Sequence, residues 1–81
     1  MSNKWRNGTD IVEAIQFTGN FNEIEKFVGG DAEFRGGKLL VATKDGPLWA
    51  NPNDYIVKND YGRFSSINAG LFLFTFKEVN I

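Results

Sequence analysis

Cysteine and histidine are both missing from this 81-residue chain, and each absence closes off a class of chemistry. Without cysteine no disulfide can staple a small domain. Without histidine the usual zinc ligand sets are absent, and Ser2, Ser65 and Ser66, the only serines, have no imidazole to activate them. An excess of charge of either sign is also lacking. A formal balance of −1 gives no long-range attraction for nucleic acid or an anionic membrane. No apolar run approaches the length of a membrane span, and the start MSNKWRNGTD has no apolar signal-peptide region. A cytosolic protein with no membrane partner and no cofactor is the expectation.

What the chain has is aromatic side chains: eight Phe, two Trp and two Tyr. Its length lies near the lower limit at which one apolar core suffices, so burial of those rings must supply the stability. Self-association is another way to bury such surface, which makes a homodimer one expected state. No linker, repeat or low-complexity segment divides residues 1–81, and a single domain follows.

Periodicity supplies the elements. Ile11 to Thr18 reads as a strand, with Ile11, Ile15 and Phe17 on one face and Val12, Ala14, Gln16 and Thr18 on the other. A short helix follows. Asn20 is placed to cap it and Glu23 to reach back in a capping box. Phe21, Ile24, Phe27 and Val28 form its apolar stripe, and Gly29 supplies the left-handed terminating position. The remainder reads as a meander. Ala32 to Arg35 and Lys38 to Thr43 are joined by the hairpin turn Gly36-Gly37, and Asp45-Gly46 leads into Leu48 to Asn51. Pro52-Asn53-Asp54 turns the chain into Tyr55 to Lys58. Residues 59–62 turn it into Arg63 to Ser66, and Leu71 to Val79 alternates Phe72, Phe74 and Phe76 against Leu71, Leu73 and Thr75. Connections this short favour antiparallel neighbours. The expected class is α+β: one short helix packed on a small, curved antiparallel sheet, in the order of a β-α unit followed by a β meander, with a partly closed barrel as one form of it.

Two stretches carry a family resemblance. VEAIQFTG at residues 12–19 and NPNDYIVKNDYGRF at residues 51–64, with Lys4-Trp5-Arg6 before them, resemble the signatures of small uncharacterised phage and prophage proteins. That family has a V-E-A-[VI]-Q-[WF] strand, a short acidic helix, a P-G-D-[WY]-I turn and a K-G-x-x-G-E-F turn, in the same order. Asn53 stands here where the family has glycine. SSINAGL at residues 65–71 replaces the family's Y-P-C-K-P-D-I, so an activity carried there would be lost or changed. The resemblance implies phage origin and the cytoplasm of a bacterial host; it implies no mechanism.

The remaining candidates are weighed by what each residue does most simply. Asp54 in a Pro-Xaa-Asp turn is a backbone-bonding turn former before it is an acid or base. Asn51, Asn53, Asp54, Asn59 and Asp60 lack the spacing and the closing glutamate of a calcium loop. Glu13 and Gln16 face opposite sides of one strand and cannot form a dyad. They suit an exposed edge contact and a hydrogen bond to a loop. The Phe72, Phe74, Phe76 row lacks the interleaved cations of a base-stacking platform and reads as core. Arg35-Gly36-Gly37-Lys38 lacks the residues of a phosphate loop and reads as a hairpin.

No set of residues supports catalysis, so a non-enzymatic binding module is expected, one that inhibits a host protein by occupying it. Trp49, Tyr55, Lys58, Tyr61 and Arg63 are the candidate partner-binding residues, since Trp, Tyr and Arg dominate interface hot spots. The alternatives are a small β-barrel for nucleotides or nucleic acid, with Arg35 and Lys38 joining Lys58 and Arg63 as ligand contacts, or a minor virion or assembly component.

Overall fold

The computed structural model describes residues 3–79, so Ser2 lies outside the described residues. The chain runs β1 (Lys4–Asn7), β2 (Asp10–Gln16), α1 (Phe21–Val28), β3 (Ala32–Arg35), β4 (Lys38–Thr43), β5 (Gly46–Ala50), β6 (Tyr55–Lys58), β7 (Phe64–Ile67), α2 (Ala69–Thr75) and β8 (Lys77–Glu78). All pairings are antiparallel, in a five-stranded sheet β7-β6-β2-β1-β8 and a three-stranded sheet β3-β4-β5. The class is α+β with short helices on antiparallel sheets.

The period-2 alternation of β2 and β6 explains the layering. Ile15 lies opposite Ile56 on one face of the larger sheet, and Ala14 lies opposite Val57 on the other. The Ile15 face meets α1 and the smaller sheet, burying Phe17, Ile24, Leu39, Val41 and Ala50 in one core. The Ala14 face is covered by α2 and buries Tyr55, Val57 and Phe72 in a second. The sheets stay open. They meet along β5 and β7, where Ser66 Oγ donates to the Trp49 carbonyl at 2.9 Å, and the barrel form is not adopted.

The turns follow the residue chemistry. Gly36 and Gly37 both take positive φ, 59° and 80°, as the two-residue hairpin with right-handed twist requires. Asp54 N–H donates to the Asn51 carbonyl at 3.0 Å across Pro52 and Asn53, and Asn53 holds φ 73°. Proline second and a left-handed residue third is the type II pattern, and Asn substitutes for glycine there. At α1, Gly29 ends the helix in the left-handed region, as expected. Its start differs: Asn20 Oδ1 accepts from Thr18 N–H, and Nδ2 donates to the Gln16 carbonyl and to Glu23. The capping pair therefore ties the helix back to β2 rather than satisfying the helix's own first amides.

Three expectations are corrected. Lys4–Asn7 is a strand, because β1 pairs with both β2 and β8. Leu71 to Val79 is not one strand; α2 and the two-residue β8 occupy it, so there are two helices among the described residues. Asn68 Oδ1 accepts from Leu71 N–H at 2.8 Å and caps α2. Four-residue spacing then puts Phe72 and Phe76 on the sheet. Phe74, taken as core from the alternation, turns outward and is 90% exposed. The smaller shifts are that β2 ends at Gln16, β5 begins at Gly46, and β7 spans Phe64–Ile67.

Candidate functional site

The β4–β5 turn and the β6–β7 turn lie side by side and enclose an open pocket of about 620 Å³ lined by Lys44, Asp45, Asn59, Tyr61 and Arg63. Both turns are fixed by side chains. Asn59 Oδ1 accepts from Tyr61 N–H at 2.9 Å and from Arg63 N–H at 3.0 Å, while Asn59 N–H donates to the Arg63 carbonyl at 3.0 Å. Thr43 Oγ1 donates to the Gly46 carbonyl at 2.6 Å and accepts from Asp45 N–H at 3.2 Å. These are local side-chain-to-backbone bonds that replace a ladder where the strands end. A Cβ at Gly62 would stand 3.2 Å from Lys44 Nζ, so the lysine lies across the neighbouring turn.

Tyr61 is 84% exposed. Among the described residues, neither Lys44 nor Arg63 makes an ion pair, whereas Arg35 Nη2 meets Glu33 Oε1 at 2.8 Å. The pocket thus presents two cations, a phenol and the Asp45 carboxylate on a preformed frame. Such a set can hold a partner by charge, hydrogen bonding and ring contact.

The sequence candidates separate into five places. Tyr61 and Arg63 meet in this pocket. Lys58 lies around the corner, in a neighbouring hollow that shares Asn59, with Glu13 opposite it across the ladder. Trp49 is on the outer face of the smaller sheet, opposite Leu40 and 47% exposed. Tyr55 leaves the set: it is buried in the second core, stacked on Phe72 with ring centroids 4.1 Å apart. Arg35 and Lys38 close the β3–β4 hairpin, at the other end of β4 from Lys44. Six residues of strand span about 20 Å, so these cations do not converge with Lys58 and Arg63.

Lys44 was missed. Its turn was legible in Asp45-Gly46, but its neighbour in space comes from the β5–β7 seam, which joins segments with no pattern in common. Gln16 and Asp54 are structural. Gln16 Nε2 donates to the Asn53 carbonyl at 3.0 Å, and Asp54 Oδ2 accepts from Asn51 N–H at 2.9 Å, which clamp the 51–54 turn onto the end of β2.

A second recess, about 520 Å³ and mainly apolar, lies between β3, the start of α1 and the 51–54 turn, lined by Phe17, Phe21, Phe34 and Pro52 among others. Comparison with protein-family models, curated proteins and solved structures finds no match for this chain. No helix among the described residues is long and apolar enough to cross a membrane.

Proposed function

We propose that this chain is a non-catalytic binding module that acts by occupying a protein partner, with Lys44, Tyr61 and Arg63 as its contact surface. The observation that carries the reading is Tyr61, 84% exposed on a turn held by Asn59 and placed beside two cations that make no ion pair. A turn whose backbone is already fixed has met that part of the ordering cost of binding before the partner arrives. Tyr and Arg are the residues that most often dominate interfaces. The motif resemblance to phage proteins supports a bacterial host protein as the partner, inhibited in the host cytoplasm by being covered. Immobilised wild-type protein is expected to retain one stoichiometric partner from host lysate. Tyr61→Ala and Arg63→Ala should lose it with unchanged thermal unfolding. Equal capture by the variants would remove the surface from consideration.

A second reading is favoured by the same unpaired cations. Lys44 and Arg63 flanking an exposed ring also suit the phosphate and base of a nucleotide. A nucleotide that binds the folded state raises the melting temperature. On this reading wild type shifts and Lys44→Ala does not; a panel of nucleotides and short oligonucleotides without effect excludes it.

A further inference from the structure

The strand edges of the two sheets are not equivalent. β5 and β7, edges of different sheets, face each other along the seam. β8 is two residues long and charged, and Val79 N–H donates to the Lys4 carbonyl at 2.9 Å. By alternation Glu78 turns its backbone groups outward. A second copy paired there about a two-fold axis would set Glu78 against Glu78, which is repulsive.

The edge at β3 is the opposite case. Ala42 N–H donates to the Asp31 carbonyl at 2.9 Å, so residues 31, 33 and 35 bond inward to β4. Residues 32 and 34 therefore present their N–H and C=O groups to the free edge. The Ala32 amide confirms the phase, because Glu25 Oε2 takes its proton at 3.0 Å from outside the ladder. The outward backbone groups of Phe34 have no such cap. Its side chain takes the core-facing position opposite Leu39, yet is 54% exposed at the mouth of the Phe17, Phe21 and Pro52 recess.

From this register we infer that β3 is a homodimer edge, with a second copy of the chain paired antiparallel to it about a two-fold axis at Phe34. Phe34 then exchanges both backbone hydrogen bonds with Phe34 of the second copy. Glu33 falls opposite Arg35 of the second copy, and Arg35 opposite its Glu33, on the outer face of a six-stranded sheet. The charges are self-complementary in this register, and the Glu33–Arg35 pair within one strand is exchanged for two between strands. The two Phe34 rings cover each other and close over the adjoining recesses. The glutamate on Ala32 ends the pairing after one turn of the ladder, which makes the contact short and reversible.

Charge reversal tests the register. The Arg35 and Glu33 side chains are 64% and 54% exposed, so the fold tolerates changes at both. Sedimentation equilibrium between about 10 µM and about 1 mM should show wild type passing from monomer to dimer. Arg35→Glu and Glu33→Arg each place like charges opposite one another and should weaken association by about tenfold or more. An equimolar mixture of these two variants restores opposite charges on both sides, as does the double swap E33R/R35E, and both should dimerise like wild type. Because the chain has no cysteine, Phe34→Cys supplies a clean second readout. Two copies at the axis lie about 5.5 Å apart at Cα, within disulfide reach, and should cross-link on oxidation, whereas Tyr61→Cys should not. A wild type that stays monomeric, a dimer indifferent to either reversal, or a mixture that fails to associate would each overturn the proposal.

Discussion

The rings of Tyr55 and Phe72 lie face to face, 4.1 Å between centroids and 11° between planes. Trp5 meets both edge-on, at 5.7 and 4.9 Å, and Phe76 extends the stack 4.9 Å beyond Phe72. Rings from β1, β6 and α2, with Phe76 at the C-terminal end of α2, thus hold one helix of seven residues on a sheet it could not otherwise cover. Phe72 is fully buried, whereas Phe74 is 90% exposed. Phe72→Ala is expected to cost about 3–5 kcal/mol through the cavity it leaves, and a domain of this size has little more to lose. Phe74→Ala should stay within about 0.5 kcal/mol of wild type. Urea titration measures both, and comparable losses would contradict the orientation of α2.

The same helix marks where sequence patterns mislead. Phe72, Phe74 and Phe76 alternate as a strand would, and nothing local outweighs that pattern except Asn68, whose capping role needs the helix to exist first. What decides is tertiary: the Ala14 face of the larger sheet needs cover, and Ala69, Phe72 and Phe76, three and four residues apart, provide it from one side of a helix. By contrast, β3, β4, β6 and α1 were legible with their bounds, because Gly36-Gly37, Gly29 and Pro52-Asn53 are turn chemistry rather than composition. Of the site, Tyr61 and Arg63 were legible as large residues on a turn. Lys44 was not, because it joins them only through contact between two sheets.

Asn53 holds φ 73° and is the one non-glycine residue with positive φ among those described. Its backbone is engaged at both ends, accepting from Gln16 Nε2 and donating to the Phe17 carbonyl. The conformation is therefore imposed, and the side chain must tolerate it. Asn53→Gly should leave stability within a few tenths of a kcal/mol, while Asn53→Ala should lose about 1 kcal/mol. Denaturation midpoints of the two variants give the comparison. If alanine proves as stable as glycine, the turn is not held in the type II form.

Gly30 is required for a different reason. A Cβ built there would stand 2.0 Å from the Ala42 carbonyl oxygen, a backbone atom within β4. The neighbouring Asp31 carbonyl accepts from Ala42 N–H, so the chain leaving α1 is laid directly on that strand. Gly30→Ala must push α1 from β4 and should cost about 1–3 kcal/mol. At Gly29, where φ is 77° and the space is open, alanine meets only conformational strain of about 1 kcal/mol. The expected order is a larger loss at Gly30, with reduced hydrogen-exchange protection in α1. The reverse order would mean that this close approach yields readily.

Asn59 links the fold to the proposed contact surface without belonging to it. Its carboxamide oxygen accepts from two amides, Tyr61 N–H and Arg63 N–H, and so fixes the backbone that presents both side chains. Those amides lie in an exposed turn, where water replaces a lost acceptor. Asn59→Ala should therefore cost only about 1 kcal/mol of stability. Partner capture should fall further, by about tenfold, because the ordering of Tyr61 and Arg63 would then be charged to the binding step. Asn59→Asp keeps the acceptor and should recover the stability, while its added negative charge beside Lys44 and Arg63 favours a cationic partner over an anionic one. Binding titrations of the three proteins, read beside their unfolding curves, separate these effects. Full capture by Asn59→Ala together with loss in Tyr61→Ala would keep Tyr61 as a contact and reject its preorganisation.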